Sequence, residues 1–403
     1  MAHTVLDSVT LGYQLLWGAQ RQLRGIRLYI DADPDPEIVV DAPHLLTVLR
    51  DTWRDQSPPL LLDIHSLRLL GNVLDHSGPD TPAVVVPQAT LSHPTLVERL
   101  LQAQRRGAHL LWRGEAGEQP PPGLHSCFER RILQLTAEQA WQALRADLPP
   151  EADPPTSPVQ PDQIYEAIPS LALASHCLDR HGAWALAGWP IEELSQISHQ
   201  QAVQPSRSAL ARLLQAIEDD LSLDAIESLL HDEPVLTYRF LRYVNSAALG
   251  LRDEVESVHR GLMMLGYSVL KAWLLVQQPQ ASHDPDVQPL RSGVILRAQL
   301  MSRLLDAGEE DELRREVYLC GLLSQIDLLL GEPLTVALQR LPLPQRVQAA
   351  LLARQGPYAP YLEIAAALES AHTRATHTLC AAHQIDLEDV NRALLRTLAS
   401  LTA

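Results

Sequence analysis

Apolar positions recur along this chain with two rhythms, and the change of rhythm divides it. From Arg27 to Gly114, short apolar runs alternate with stretches of helical spacing. RLYID, PLLLDI, PAVVVP and AHLLWRG read as strands, and the opening VLDSVTLGYQLLW adds another. Between them, PHLLTVLRDTW, SLRLLGNVLDHSG and HPTLVERLLQAQRRG repeat at helical intervals. Repeated strand–helix units predict a parallel sheet covered by helices. Strands this apolar suit a sheet buried on both faces. From Arg207 onward nearly every stretch has helical spacing, and Pro333, Pro344 and Pro357 fall at helix starts.

The stretch 225–276 is the most informative part of the helical half. Pro234 suits a first helical turn, and Leu236, Phe240, Leu241 and Val244 form one apolar stripe behind it. Asn245 is expected to close that helix in the left-handed conformation, and Ser246 to cap a short following turn. Gly266 is expected to let the chain turn or let two helices approach closely. Further on, Leu322, Leu323, Ile326, Leu329 and Leu330 predict a buried central helix over Gly321–Gly331. Ser324 and Gln325 inside that helix need hydrogen-bond partners.

Between Pro149 and Asp162 the run PPEADPPTSPVQPD excludes a helix or a central strand. Strand and helix material returns after it, so the insertion at about 149–162 interrupts the first domain. The boundary is placed near Ser195–Pro205, giving domains 1–200 and 201–403.

The segments DEPVLTYRFLRYVNSAALG and ESVHRGLMMLG resemble the HDOD domain, a bacterial all-helical module related to HD-type metal phosphohydrolases. The resemblance runs from about Arg207 to about Leu401. It implies a regulatory domain whose ancestral metal centre is lost. In the hydrolases a His-Asp pair on a helix holds metals that activate a water. The corresponding run here is Tyr318 to Asp327, where Ser324 and Gln325 replace that pair and are poor ligands for such ions. Two literal His-Asp pairs occur elsewhere. His231–Asp232 is expected to be a solvated helix terminus, and His283–Asp284 lies in a proline-rich link with no rigid frame.

In the first half, Gly12-Tyr-Gln-Leu-Leu-Trp17 is similar to the first strand of EAL domains, Gly-x-Glu-x-Leu-x-Arg. CLDRHGAWALAGWP, residues 177–190, is similar to that family's closing region. The resemblance implies a (β/α) barrel, whose active form hydrolyses cyclic di-GMP with two metal ions and a lysine. Here Gln14 stands where the first glutamate belongs, and Trp17-Gly18 ends the motif without the arginine. Asp31 and Asp63 are left as acidic strand positions. The single lysine, Lys271, lies in the helical half. An active barrel of this type takes roughly 250 residues, so an incomplete or shrunken barrel is expected.

Composition narrows the functions further. A net charge of −17 disfavours binding to a phosphate backbone. No apolar run reaches membrane-spanning length. Cys127, Cys177, Cys320 and Cys380 are scattered without a Cys-x-x-Cys pair, which fits a reducing cytoplasm. His372, His377 and His383 are spaced five and six apart, which does not align them on one helix face.

The expectation is therefore an α/β reduced EAL-like barrel followed by an all-α HDOD bundle. It is read as a cytoplasmic, non-enzymatic signalling scaffold that contacts other signalling proteins through the HDOD domain. No catalytic residue, metal, cofactor, nucleic acid or membrane is expected, and a homo-oligomer is allowed. The runner-up is a receptor that binds cyclic di-GMP without cleaving it, although the dinucleotide itself is not an expected ligand. A metal-dependent phosphodiesterase ranks last.

Overall fold

A computed structural model describes residues 4–33, 35, 37–146, 156–247, 249, 254–305 and 311–402. The chain forms two compact units: Met1–Pro190 together with Ala366–Ala403, and Ile191–Ala365. The sequence reading placed one boundary at 200/201 and gave the whole C-terminus to the helical half. Helical spacing reports that a helix buries one face, not which partner covers it.

The first unit is a closed barrel of eight strands in sequence order. They are β1 (Val9–Trp17), β2 (Leu23–Ala32), β3 (Leu60–Ile64), β4 (Ala83–Pro87), β5 (Leu110–Glu115), β6 (Arg130–Gln134), β7 (Ile164–Glu166) and β8 (Ala185–Ala187). β1 runs antiparallel to both β2 and β8, and all other neighbours are parallel. The helices between strands are α1 (Ala42–Thr52), α2 (Leu67–His76), α3 (Pro94–Arg105), α4 (Ala137–Ala146) and α5 (Leu171–Ser175), the last continuing as a wider turn to Arg180. Caps fix their starts: Asp41 accepts from the His44 amide, Ser66 from Leu69 and Ser170 from Leu173.

The barrel is thus complete, against the expectation that it might fail to close, and reduced in its connections. β1 and β2 are joined by a short turn, β5 and β6 by a loop with one 3-10 turn, and β7 and β8 are three residues each. Of the proline-rich insertion, residues 149–155 lie outside the described residues. Inside the barrel Leu16, Leu61, Val85, Leu111, Ile132, Ile164, Ala185 and Ala187 pack as one apolar layer. Each fully buried Leu or Ile there contributes about 1.5–3 kcal/mol.

Two C-terminal helices complete this unit: α17 (Thr373–His383) and α18 (Leu387–Ala399), numbered after eleven in the second unit. Asn391 on α18 donates through Nδ2 to the carbonyls of Leu6 at 2.8 Å and Val9 at 2.7 Å, anchoring the entry to β1. Gly12 on β1 lies directly under the Ser370 carbonyl, 2.3 Å from where a Cβ would stand. Because β1 opposes its neighbours, its start lies at the end where the parallel strands finish.

The second unit is helical: α6 (Ile191–Gln200), α7 (Arg207–Glu218), α8 (Leu223–His231), α9 (Pro234–Val244), α10 (Val258–Gln277), α11 (Gln288–Leu304), α12 (Asp311–Leu323), α13 (Ile326–Leu330), α14 (Leu334–Leu338), α15 (Gln345–Ala353) and α16 (Ala359–Leu368). Val235, Leu236, Phe240, Leu241 and Val244 of α9 are buried, as the stripe predicted. Asn245 closes α9 with φ −90°, not in the left-handed region. Its side chain explains why: Nδ2 donates to Leu241 O at 2.8 Å and Val255 O at 2.9 Å, while Oδ1 accepts from Val255 N at 2.8 Å. The Ser246 hydroxyl donates to the Tyr243 carbonyl at 2.7 Å, and the turn it was expected to cap lies partly outside the described residues. Gly266 has φ +68° with nothing within 4 Å of a Cβ position, so it kinks α10 and is not a close-packing site. The expected helix Gly321–Gly331 is broken at Ser324–Gln325 into the end of α12 and α13.

Candidate functional site

Alternation along β2 puts Ile26, Leu28 and Ile30 on one face and Arg27, Tyr29 and Asp31 on the other. The second face looks into the barrel, above the apolar layer. Arg27 is fully buried there, with its side chain 0% exposed. Its Nε donates to Asp63 Oδ2 at 2.9 Å and Nη2 donates to the same oxygen. Nη1 donates to Glu166 Oε2 at 2.7 Å. Arg113 on β5 donates through Nε to Glu166 Oε1 at 2.8 Å and stands 4.0 Å from Asp63. Gln14 on β1 accepts from the Tyr29 hydroxyl at 2.8 Å and lies 3.5 Å from Arg27 Nη1.

Two guanidinium groups and two carboxylates therefore form one internal cluster. Burial works against the charge of Arg27, yet Asp63, Tyr29 and Glu166 hold its pKa above the ordinary arginine value. Burial alone would raise the Glu166 carboxyl, but Arg27 and Arg113 pull it below the usual carboxylate range. Of the barrel positions singled out in the sequence, the structure brings Gln14 and Asp63 together through Arg27. Asp31, further along the same strand face, makes none of these contacts. Arg27, Arg113 and Glu166 were missed. The signal for Arg27 was present: an arginine on the inward parity of an apolar strand has to find buried anions.

In the second unit, Ser324 donates to the Gly321 carbonyl at 2.6 Å, a helix-end bond. The Gln325 amide, with its oxygen toward Arg297, accepts from Nη2 at 2.9 Å and Nη1 at 3.3 Å. Here too an arginine faces the position where the HD pair would stand.

The same unit contains a cavity of about 570 Å³ lined by Asp224, Glu227, His231, Asp232, Arg315 and Tyr318, among others. His231 is not a solvated helix end. Its ring stacks on Tyr318 at 4.6 Å, and burial, then the nearby Arg315, lower its pKa to about 4. His283 and Asp284 make no such site; Asp284 caps a short turn by accepting from the Asp286 amide at 3.1 Å.

Comparison with known proteins supports this division. Residues 205–340 match the HDOD domain. The match ends well before Leu401, in keeping with α17 and α18 belonging to the barrel unit. The cyclic di-GMP phosphodiesterase CdgJ of Vibrio cholerae is 26% identical over 203 residues, 50% of this chain and 46% of that protein. The chain spans about half the length of the curated relatives it matches. Among solved structures, the MmoQ response regulator of Methylococcus capsulatus aligns at 18% identity and TM-score 0.38, over 48% of this chain and 98% of that one. BlrP1 of Klebsiella pneumoniae, in a manganese and cyclic di-GMP complex, aligns at 13% identity and TM-score 0.31, over 45% and 55%. The chain joins a closed eight-stranded barrel to a helical unit in which residues 205–340 match the HDOD domain.

Proposed function

We propose that this chain is a non-enzymatic signal-transduction protein that works by protein–protein contact through its helical unit, with the barrel as a scaffold. The observation that carries the reading is Arg27, held between Asp63 and Glu166 with no exposed side-chain surface. A divalent ion shared by those carboxylates would meet a permanent cation at close range. At 4 Å and an effective dielectric near 20, the repulsion is about 8 kcal/mol. Arginine does not escape by losing its proton. Gln14 offers a neutral amide where a metal site would want a third anion.

Two further features support the reading. Barrel enzymes build their active sites at the end where the parallel strands finish; here the Ser370 carbonyl lies against Gly12 at that end. In the helical unit, Met263, Met264, Val269, Leu275 and Val276 of α10 are exposed. Large exposed apolar residues on one helix suit a surface that meets another macromolecule. Among the described residues no helix is long and apolar enough to cross a membrane.

A second reading draws on one relative, named for its action on cyclic di-GMP: the barrel binds that dinucleotide without cleaving it. The expectation that this dinucleotide is not a ligand finds no support, because one curated relative is named as a cyclic di-GMP phosphodiesterase. Calorimetry of the purified chain with cyclic di-GMP separates the two readings. The scaffold reading predicts no heat of binding at micromolar ligand; saturable heat without turnover supports the receptor. For the scaffold itself, Leu275→Glu with Val276→Glu should abolish capture of a partner from the native cell while the helical content is kept. Unchanged capture by that folded variant would remove α10 as the contact surface.

A further inference from the structure

One wall of the 570 Å³ cavity carries a feature that neither the fold nor the barrel reading explains. Glu227 on α8 has a side chain only 6% exposed. Its Oε2 accepts from His259 Nδ1 at 2.9 Å and from Arg315 Nε at 3.1 Å. Its Oε1 is buried and has no hydrogen-bond partner among the described residues. A carboxylate oxygen only accepts, so an orphan of this kind calls for a donor or a cation. Asp224 precedes Glu227 by three residues on α8, which puts both carboxylates on one helix face. Asp224 Oδ1 lies 3.8 Å from His259 Nδ1. The ligating atoms of Asp224, Glu227 and His259 all fall within 4.8 Å of one another, the one such group among the described residues.

We propose that Asp224, Glu227 and His259 form a binding site for a divalent transition ion of the zinc or manganese kind, in competition with Arg315. Two carboxylate oxygens, or three if Glu227 binds through both, and one imidazole nitrogen make a mixed oxygen and nitrogen set. Such a set favours zinc or manganese over magnesium and calcium, which prefer oxygen alone. The adjoining cavity has room for waters to complete the coordination.

Exposure distinguishes this cluster from the one in the barrel. There, two carboxylates meet two guanidinium groups, and the central one is 0% exposed. Here, one guanidinium, that of Arg315, bridges Asp224 and Glu227, and Arg314 lines the same cavity. Arg315 is 29% exposed and Asp224 74% exposed. The pair with Asp224 opens to solvent and is worth only about 0–1 kcal/mol, whereas displacing Arg315 from buried Glu227 is tolerable only because the incoming ion replaces its charge. The proposal does not depend on how the barrel is read, because all the residues belong to the helical unit.

The test uses the full chain, titrated with zinc chloride and separately with manganese chloride by calorimetry, with magnesium chloride as the discriminating arm. The expected result is binding of zinc or manganese that Asp224→Asn and His259→Ala each weaken at least about tenfold. Arg315→Gln should tighten it by a similar factor, because the competitor is gone. Circular dichroism establishes that each variant is folded. Asp224 is exposed, so its variant keeps the test valid even if a change at Glu227 unfolds the chain. Two results would overturn the proposal: no zinc or manganese binding up to about 1 mM, or equal affinity in all variants, which would mean an adventitious ion only.

Discussion

The Ser370 carbonyl oxygen stands 2.3 Å from the point where Gly12 would carry a Cβ. Glycine at this position of β1 is therefore a matter of space, since the obstacle is backbone and cannot rotate away. It ties the segment between α16 and α17 to the mouth of the barrel. Gly12→Ala should destabilise the chain by about 1–3 kcal/mol, the range for overpacking a tight contact. Urea unfolding measures this, and an unchanged midpoint would show that the C-terminal segment does not sit on β1.

Removing Arg27 leaves Asp63 and Glu166 buried beside each other with only Arg113 to answer them. Arg27→Met is expected to cost about 3–5 kcal/mol, the usual penalty for stranding a buried charge. The pH dependence gives an independent check. The folded Glu166 pKa is depressed, so its contribution is fully present above the unfolded carboxylate value and is lost as pH falls through the folded value. Without Arg27 that depression shrinks and Glu166 protonates more readily. The gap in stability between wild type and Arg27→Met should then narrow as pH falls from 7 toward 4. A gap independent of pH would argue that the cluster is not ionised as described.

His231 predicts a second pH effect, of the same direction in the helical unit. Its folded pKa, near 4, lies below the ordinary histidine value. Between about pH 6.5 and 4 the unfolded chain takes up a proton that the folded chain refuses, so stability declines as pH falls through that window. His231→Gln should flatten this part of the profile. An identical decline in the variant would assign the effect to other groups.

The cysteines give a simple chemical readout. Cys127, Cys177, Cys320 and Cys380 are all buried. Burial pushes the thiols of Cys177 and Cys320 up to about 12 and that of Cys380 up to about 11. Neither access nor thiolate is available at pH 8. A thiol reagent such as Ellman's should find no reactive cysteine in the native chain and four after denaturation. Fast native labelling of any one would contradict its burial.

Much of this architecture was legible in the sequence, and the failures have physical causes. β1 to β5 announced themselves because each is a run of apolar residues long enough to show a pattern. β8 falls within AWALAG, the strand material expected after the insertion, whereas β7 is three residues, too short to carry a period, and β6 begins with Arg130 and Arg131, which disguise it. Gln14, Ser324 and Gln325 were found by where they sit in motifs. The side chains around them could not be, because Arg27–Glu166 and Arg297–Gln325 join residues distant along the chain. Asn245 closes its helix through side-chain bonds to Val255 and not through the left-handed backbone expected of it.

The account depends on Arg27 occupying the space that a divalent ion would need inside the barrel. The most direct test is to incubate the purified chain with cyclic di-GMP and manganese and follow the dinucleotide over time. No loss beyond the protein-free control is predicted, with or without chelator. Turnover that a chelator abolishes and that persists in Asp224→Asn would contradict it, because the active ion would then lie in the barrel.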